Sequence, residues 1–472
     1  MSEKSSLSRL VHKAEQLIER GIDKRVRIAV TGLSGAGKTA FITSFMNQLL
    51  HIADNDQLPF LRAAKEGRVL ASKVSSYDEL HIPEFKYRQS LDSIIGSTPS
   101  WPASTTGISQ AQLNVRYIIK NEWLQKLQKQ SHLTIDIIDY PGEWLLDLPL
   151  LRLSYKEWSV QCLQLLEQSH VAEDSDWREQ STKVIYQQPL ADESIAELSL
   201  QYKDFIKEHF IQQQTYNLLQ PGRFILPGEL QGAPVLDFFP VLDIDILNSD
   251  WSALAEDSLI KTLEKRFNYY KQQIVQPFFK EYFEKVDRQI LLVDCLEVLN
   301  GGYQNFRDMQ FTLVELLKSF HYGQSNWLKR MFNPSIDKLL IAATKADHVP
   351  PEQHRALEGF LQNMLQEAKN DIQYEGIELE TMAISAIKVT EAVIAEHQGQ
   401  KLMCVKGIEL DSGEEVINYP GRIQPQALSR DAWREHQYDF INFAIPTNLT
   451  NGILPHIRMD KVMQFLIGDK FR

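Results

Sequence analysis

A short apolar run, Val26-Arg-Ile-Ala-Val-Thr31, leads straight into Gly32-Leu-Ser-Gly-Ala-Gly-Lys-Thr39, and Ala40-Phe-Ile-Thr-Ser-Phe-Met-Asn-Gln-Leu-Leu50 follows with helical character. A strand, a GxxxxGKT turn and a helix, in that order, commit the chain to a fold that cradles a phosphate chain. The glycines let successive backbone N–H groups turn inward, and the helix N-terminus adds its dipole. Ser34, Gly35, Ala36, Gly37, Lys38, Thr39 and Ala40 are the expected nucleotide contacts. Lys38 brings positive charge to the β- and γ-phosphates and is assigned a catalytic role. The Thr39 hydroxyl is a hard oxygen suited to Mg²⁺.

Other motifs choose the base and the chemistry. Asp139-Tyr-Pro-Gly142 closes the apolar run Thr134-Ile-Asp-Ile-Ile138. A carboxylate at a strand tip beside a P-loop holds Mg²⁺, usually through water, and Gly142 leaves its N–H for the γ-phosphate. Leu339-Leu-Ile-Ala-Ala-Thr-Lys-Ala-Asp347 ends an apolar strand in the Thr-Lys-x-Asp pattern. Guanine offers N1–H and N2–H₂ as adjacent donors, and the Asp347 carboxylate can accept both. Adenine has an acceptor at N1 and no N2 amine, so the same carboxylate would sit unpaired. The Lys345 stem can lie over the base plane, and Thr344 keeps a hydroxyl that ties the loop. Ser385-Ala386-Ile387 reads as the loop whose Ala386 N–H meets guanine O6, with Ile387 standing where Lys is usual.

A further threonine is needed to complete the Mg²⁺ shell once a γ-phosphate arrives. Ser104-Thr-Thr-Gly107 supplies it, with Thr106 preferred over Thr105. Hydrolysis also needs a positioned water and stabilised charge. Glu143 follows the DxxG where many small GTPases carry Gln. It could accept a hydrogen bond from water yet would repel the γ-phosphate, and structural capping is its rival role. Arg62, Arg68, Arg88 and Arg116 are upstream candidates for an arginine finger, and turnover is expected to be slow or partner-dependent.

Along the chain, residues 7–20 show an amphipathic helical pattern, and residues 52–104 read as helical pieces and loops. Strands are expected at 108–119 and 133–138. Residues 143–287 read as a mostly helical insertion, after which strands at 289–295, 338–343 and 380–384 alternate with helices near 304–320 and 352–370. A hairpin around Asp411-Ser-Gly413 and a helix over 457–467 close the chain. The expected fold is α/β: a P-loop NTPase with a Ras-like G domain, a mostly parallel sheet with helices on both faces, and a large helical insertion. The expected units are an N-terminal helix (1–25), a G domain in two parts (26–142 and 288–400), the insertion (143–287), and a C-terminal hairpin and helix packed on the G domain (401–472).

The 472 residues carry a formal net charge of −12, without a long Lys/Arg block, which argues against nucleic-acid binding. The three cysteines, Cys162, Cys295 and Cys404, are far apart and show no CxxC spacing. That points away from disulfides and zinc and toward a reducing, cytoplasmic setting. No apolar run approaches the ~18 residues of a membrane span, though peripheral membrane contact stays open.

With these residues in view, the chain resembles the YcjX-like family of bacterial P-loop NTPases. The resemblance rests on Thr31 to Thr39, Asp139-Tyr-Pro-Gly-Glu-Trp-Leu-Leu-Asp-Leu-Pro-Leu150 and Gln220-Pro-Gly-Arg-Phe-Ile-Leu-Pro-Gly-Glu-Leu230. It continues through Leu292-Val-Asp-Cys-Leu-Glu-Val-Leu-Asn-Gly-Gly302 and Met459-Asp-Lys-Val-Met-Gln-Phe-Leu-Ile-Gly-Asp469. It implies a bacterial cytosolic, stress-associated protein, in a family often described as ATPases. The base chemistry at Asp347 favours GTP instead. The expectation is therefore a GTP/GDP-binding, Mg²⁺-dependent hydrolase that acts as a conformational switch on an unknown effector protein, through the 143–287 insertion. An ATPase and a nucleotide-stabilised scaffold with little turnover are the alternatives.

Overall fold

The computed structural model describes residues 24–33, 35–53, 56–77, 82–120, 125, 128–168, 176–213, 220–283, 285–320, 336–366, 368–369, 377–397, 399–426, 430–435, 438–449 and 452–471. The amphipathic segment expected over 7–20, and Ser34, lie outside the described residues.

Seven strands form the central sheet: β1 (Lys24–Gly32), β2 (Val69–Ser75), β3 (Ser109–Ile118), β4 (Gln130–Asp139), β5 (Arg288–Val293), β6 (Lys338–Ala343) and β7 (Glu378–Ala383). Their order is β2-β3-β4-β1-β5-β6-β7. Strands β4, β1, β5, β6 and β7 run parallel, and β3 lies antiparallel to both β4 and β2. The chain builds one side of β1 with β2–β4 and the other with β5–β7. Connections therefore diverge at β1, and a crevice opens beyond the carboxyl ends of the strands.

β2 falls within the stretch read as helices and loops. Its sequence, Val-Leu-Ala-Ser-Lys-Val-Ser, lies at the sheet's edge with most side chains half-buried or exposed. Such an edge strand carries little apolar alternation, and its pairing with β3 decides its conformation.

Helix α1 (Lys38–Leu50) follows the P-loop. Every regular element described between 142 and 283 is helical, including α2 (Tyr155–Gln168), α3 (Asp192–Gln213) and α4 (Leu259–Tyr270). The helix begun by α4 does not stop at Pro277. It continues to Phe283 through two π-helical stretches, Lys271–Val275 and Phe279–Phe283, flanking Gln276–Phe278. A proline inside a helix removes a donor and crowds the preceding turn, which wider turns relieve. Beyond the insertion come α5 (Cys295–Asn300), α6 (Gly302–Phe320), α7 (His354–Met364) and α8 (Met459–Ile467). Strands β8 (Glu391–His397), β9 (Gln400–Ile408) and β10 (Glu415–Asn418) form a separate antiparallel sheet. The β8–β9 pairing runs across residue 400, and the hairpin expected at 411–413 joins β9 to β10 with Gly413 at φ +70°.

Alternation along the strands splits the core in two. Val26, Ile28, Val30, Ile290, Leu292, Leu340 and Ala342 pack toward α1 and α8. Ala29, Leu291, Val293, Leu339, Ile341 and Ala343 pack toward the insertion, α5 and α6. Strands covered on both faces read as continuous apolar runs, the pattern their sequences show. Among the described residues, no helix is long and apolar enough to cross a membrane.

Candidate functional site

The carboxyl ends of β1, β4, β6 and β7 surround a cavity of about 370 Å³. Its lining includes Gly35–Phe41, Ser104, Thr105, Thr106, Glu143, Thr344, Lys345, Asp347, Ser385, Ala386 and Ile387. The cavity thus brings together segments far apart in the sequence.

At the phosphate end, Gly35 and Gly37 adopt φ of +80° and +79°, the left-handed region that favours glycine. Gly37 is also the residue that caps α1, and it turns the loop into the helix. Lys38 is buried and its Nζ donates to Gly32 O at 2.5 Å, folding the side chain back over the loop. Gly142 has no room for a side chain, because a Cβ would lie 2.3 Å from Gly32 O. The glycine of DxxG is thus required by its close approach to the P-loop strand.

Thr105, rather than Thr106, joins the expected metal ligands. Its Oγ1 donates to Asp139 Oδ2 at 2.8 Å and lies 3.3 Å from Thr39 Oγ1. Thr106 is exposed at the cavity wall. Asp139 is buried, and its Oδ1 has no hydrogen-bond partner among the described residues. Burial raises its pKa to about 6, against the opposing effects of the Thr105 hydrogen bond, the Lys38 charge and Ser109. An orphaned carboxylate oxygen beside two hydroxyls is a hard-oxygen donor set of the kind Mg²⁺ takes when substrate phosphates and water supply the rest.

Directly after β6, Lys345 takes a left-handed backbone, φ 57°. This turn separates Thr344, whose hydroxyl donates back to Val293 O at 3.4 Å, from Asp347, which lines the cavity. Asp347 is buried, and its Oδ2 accepts the Val389 N–H at 2.9 Å while its backbone carbonyl accepts from Thr390 Oγ1 at 2.5 Å. Lys345 Nζ lies 2.6 Å from Asp294 Oδ2 and donates to Asn442 Oδ1 at 3.2 Å. Burial pulls the lysine pKa down, but Asp294, with Glu297 and Asp347, outweighs it and holds the ammonium above its ordinary range. The Ser385 hydroxyl donates to Ile387 O, and Ala386 O accepts from Ser44 Oγ. Ile387 is buried with Ala40, Val389 and Phe443, which explains an apolar residue at that position.

Glu143 is buried at the cavity's edge, and the segment Gln220–Leu230 lies over it. A Cβ on Gly222 would stand 1.8 Å from Glu143 O. The Gly222 N–H donates to Asp147 Oδ1 at 2.7 Å, and Tyr270 OH donates to Asp147 Oδ2 at 2.6 Å. Trp144 Nε1 donates to Leu226 O at 2.8 Å, and the Arg223 guanidinium stacks 3.3 Å from the centre of the Trp144 ring. Burial raises the Asp147 pKa to about 6, opposed by Tyr270, Gly222 and Arg223.

Several wall residues lie outside the sequence motifs: Trp101, His348, Leu410, Asn442 and Phe443. Trp101 Nε1 donates to Phe443 O at 2.9 Å, and the His348 ring meets Phe443 edge-on at 5.0 Å. No local pattern marks them, since the β9–β10 sheet and the strap 440–443 reach the cavity only through tertiary packing. The arginines Arg62, Arg68, Arg88 and Arg116 are not among the cavity's lining residues. Arg68 instead binds Ile118 O and Phe471 O.

A mostly parallel sheet covered by helices on both faces, with a P-loop after its central strand and a large helical insertion, defines a P-loop NTPase of Ras-like fold. The family model for the YcjX-like family, DUF463, matches residues 26–471, and the chain belongs to that family. A relative named "Ras-like GTPase YcjX" from Escherichia coli (strain K12) is 39% identical over 467 residues, which covers 99% of this chain and 100% of the relative. One of the same name from Shewanella oneidensis is 39% identical over 485 residues, covering 98% of each.

Proposed function

We propose that this chain binds GTP and GDP with Mg²⁺, hydrolyses GTP, and acts as a conformational switch. The observation that carries this reading is the buried Asp347 carboxylate, steadied by the Val389 N–H on the wall of the same cavity as the P-loop. A carboxylate there accepts paired donors, which guanine has and adenine lacks. The names of the relatives agree with this choice. Phosphate contacts fall to Ser34 to Ala40 and Gly142, and base contacts to Thr344, Lys345, Asp347, Ser385, Ala386 and Ile387. Mg²⁺, when bound, would offset charge on the β- and γ-phosphate oxygens. We assign Thr39, Asp139 and a switch threonine to hold it. Thr105 is preferred here over Thr106, because it already links Thr39 to Asp139. Lys38 steadies transition-state charge, and Glu143 is the candidate for orienting water.

The test is competition binding. GTP should displace a fluorescent GDP analogue at least about tenfold better than ATP, and D347N should transfer the preference to xanthine nucleotides. Tighter ATP binding that D347N leaves unchanged supports the ATPase reading instead. A scaffold with little turnover is favoured by one observation, the buried Glu143 in place of Gln. GTP turnover measured with and without K⁺ and cell extract separates these two. The bacterial cytoplasmic setting and the stress-response role rest on the family resemblance, and the effector protein on the position of the 143–287 insertion.

A further inference from the structure

The segment Leu292–Gly302 carries much of the family resemblance, yet no nucleotide contact has been assigned to it. We infer that it forms a clamp on Lys345, in which Asp294 is a positioning residue that lays the lysine stem across the nucleobase and Asn442 is the outer jaw. This inference rests on the nucleotide-site reading above and adds residues to it.

The two oxygens of Asp294 have separate tasks. Oδ1 accepts the Leu296 and Glu297 N–H groups and caps α5. Oδ2 meets Lys345 Nζ at 2.6 Å. Asp294 is buried at 4% exposure, so this ion pair is poorly screened and fixes where the ammonium sits. The turn itself is held by backbone hydrogen bonds, from the Ala346 N–H to Ile384 O and from the His348 N–H to Lys345 O, each at 2.9 Å. On the outer side, Asn442 Oδ1 accepts from the same ammonium. Its strap is pinned by the far end of α5. Asn300 Nδ2 donates to Phe440 O at 2.7 Å, and the Phe440 N–H donates to Asn300 Oδ1 at 3.0 Å. Glu297 stands beside the P-loop, its Oε2 3.4 Å from where a Gly35 Cβ would be. One short helix thus contacts the lysine through its cap and the C-terminal strap through its far end, with Glu297 beside the P-loop.

Substituting Asn for Asp294 separates the tasks, because Asn caps a helix about as well as Asp but carries no charge. GDP binding by D294N, followed by calorimetry, should weaken roughly tenfold, the scale of one lost charge-assisted hydrogen bond. The melting temperature without nucleotide should stay within about 2 °C, and kcat at saturating GTP should stay within about twofold. D294A should lose the cap as well, and melt lower. The double variant D294N/N442D returns a carboxylate to the ammonium from its other side and should recover part of the lost affinity, about threefold given the exposure of that site. Unchanged GDP affinity in D294N overturns the clamp. So does a loss that N442D fails to restore, since a structural role for Asp294 would not be rescued by relocating its charge. If the wild-type protein prefers ADP, the guanine reading fails alone, and the same variants measured with ADP still decide the clamp.

Discussion

Asp139 has one oxygen engaged by Thr105 and one without a partner among the described residues, in a place closed to water. Its pKa in the fold stands at about 6, above the ordinary 3.8, so folding favours the protonated acid. The stability linked to that proton is present in full below about pH 4 and is lost as the pH rises through about 6. D139N imitates the neutral acid at every pH. Without nucleotide it should be more stable than wild type at pH 7, by about 2 kcal/mol, and lose that advantage by about pH 4. Chemical denaturation across that range checks it, and a difference independent of pH would refute the assignment. GTP turnover by the wild type runs the other way, because only the carboxylate serves a cation, and should fall below about pH 6. At this scale, Lys38, Asp139 and Asp347 could be singled out because each sits in a contiguous motif beside an apolar run. Asp294, Asn442 and Trp101 were not, because their partners are far away in sequence and no spacing records a contact across the fold.

The Gln220–Leu230 segment stood out in the sequence as a family-bearing motif with no visible task. In the fold it covers the turn after β4, with Gly222 against the Glu143 carbonyl and Trp144 between Leu226 O and the Arg223 guanidinium. A methyl group at position 222 would meet backbone, which cannot swing aside as a side chain can. G222A should therefore displace the DxxG turn, at a cost of about 1–3 kcal/mol in stability. Single-turnover hydrolysis should slow about tenfold, and GDP affinity should change by less than twofold, because the P-loop and base loops are not touched. Equal loss of binding and turnover would mean that this segment supports the whole cavity rather than the turn. The sequence pattern missed β2, which lacks apolar alternation at the sheet edge, so tertiary packing overrides the local signal there.

The insertion and the sheet share one apolar core. Trp158 stacks on Phe267 at 5.2 Å within the insertion, and the same cluster runs through Trp144 and Leu145 to Ala29, Leu291 and Ile341 in the sheet. A change at the DxxG turn therefore reaches the insertion through packed side chains with little room to absorb it. Hydrogen exchange with GDP and with a non-hydrolysable GTP analogue should show different protection across residues 143–283, concentrated near Gly142–Arg152 and Gly222–Ile225. Identical protection in the two states would remove the reason for treating the insertion as the output element.

The sequence by itself determined the glycine turn after β1, the acidic residues that end β4 and follow β6, and the mostly parallel sheet beneath them. Each of these is written in local spacing: glycines where the backbone must turn, acids at strand tips, and apolar runs where both faces are covered. Only the tertiary structure decided that Thr105 reaches Asp139, that the Gly222 segment seals the turn after Gly142, and that Asp294 and Asn442 grip Lys345 from two sides. Those are contacts between segments tens of residues apart, brought together by the burial of two apolar faces.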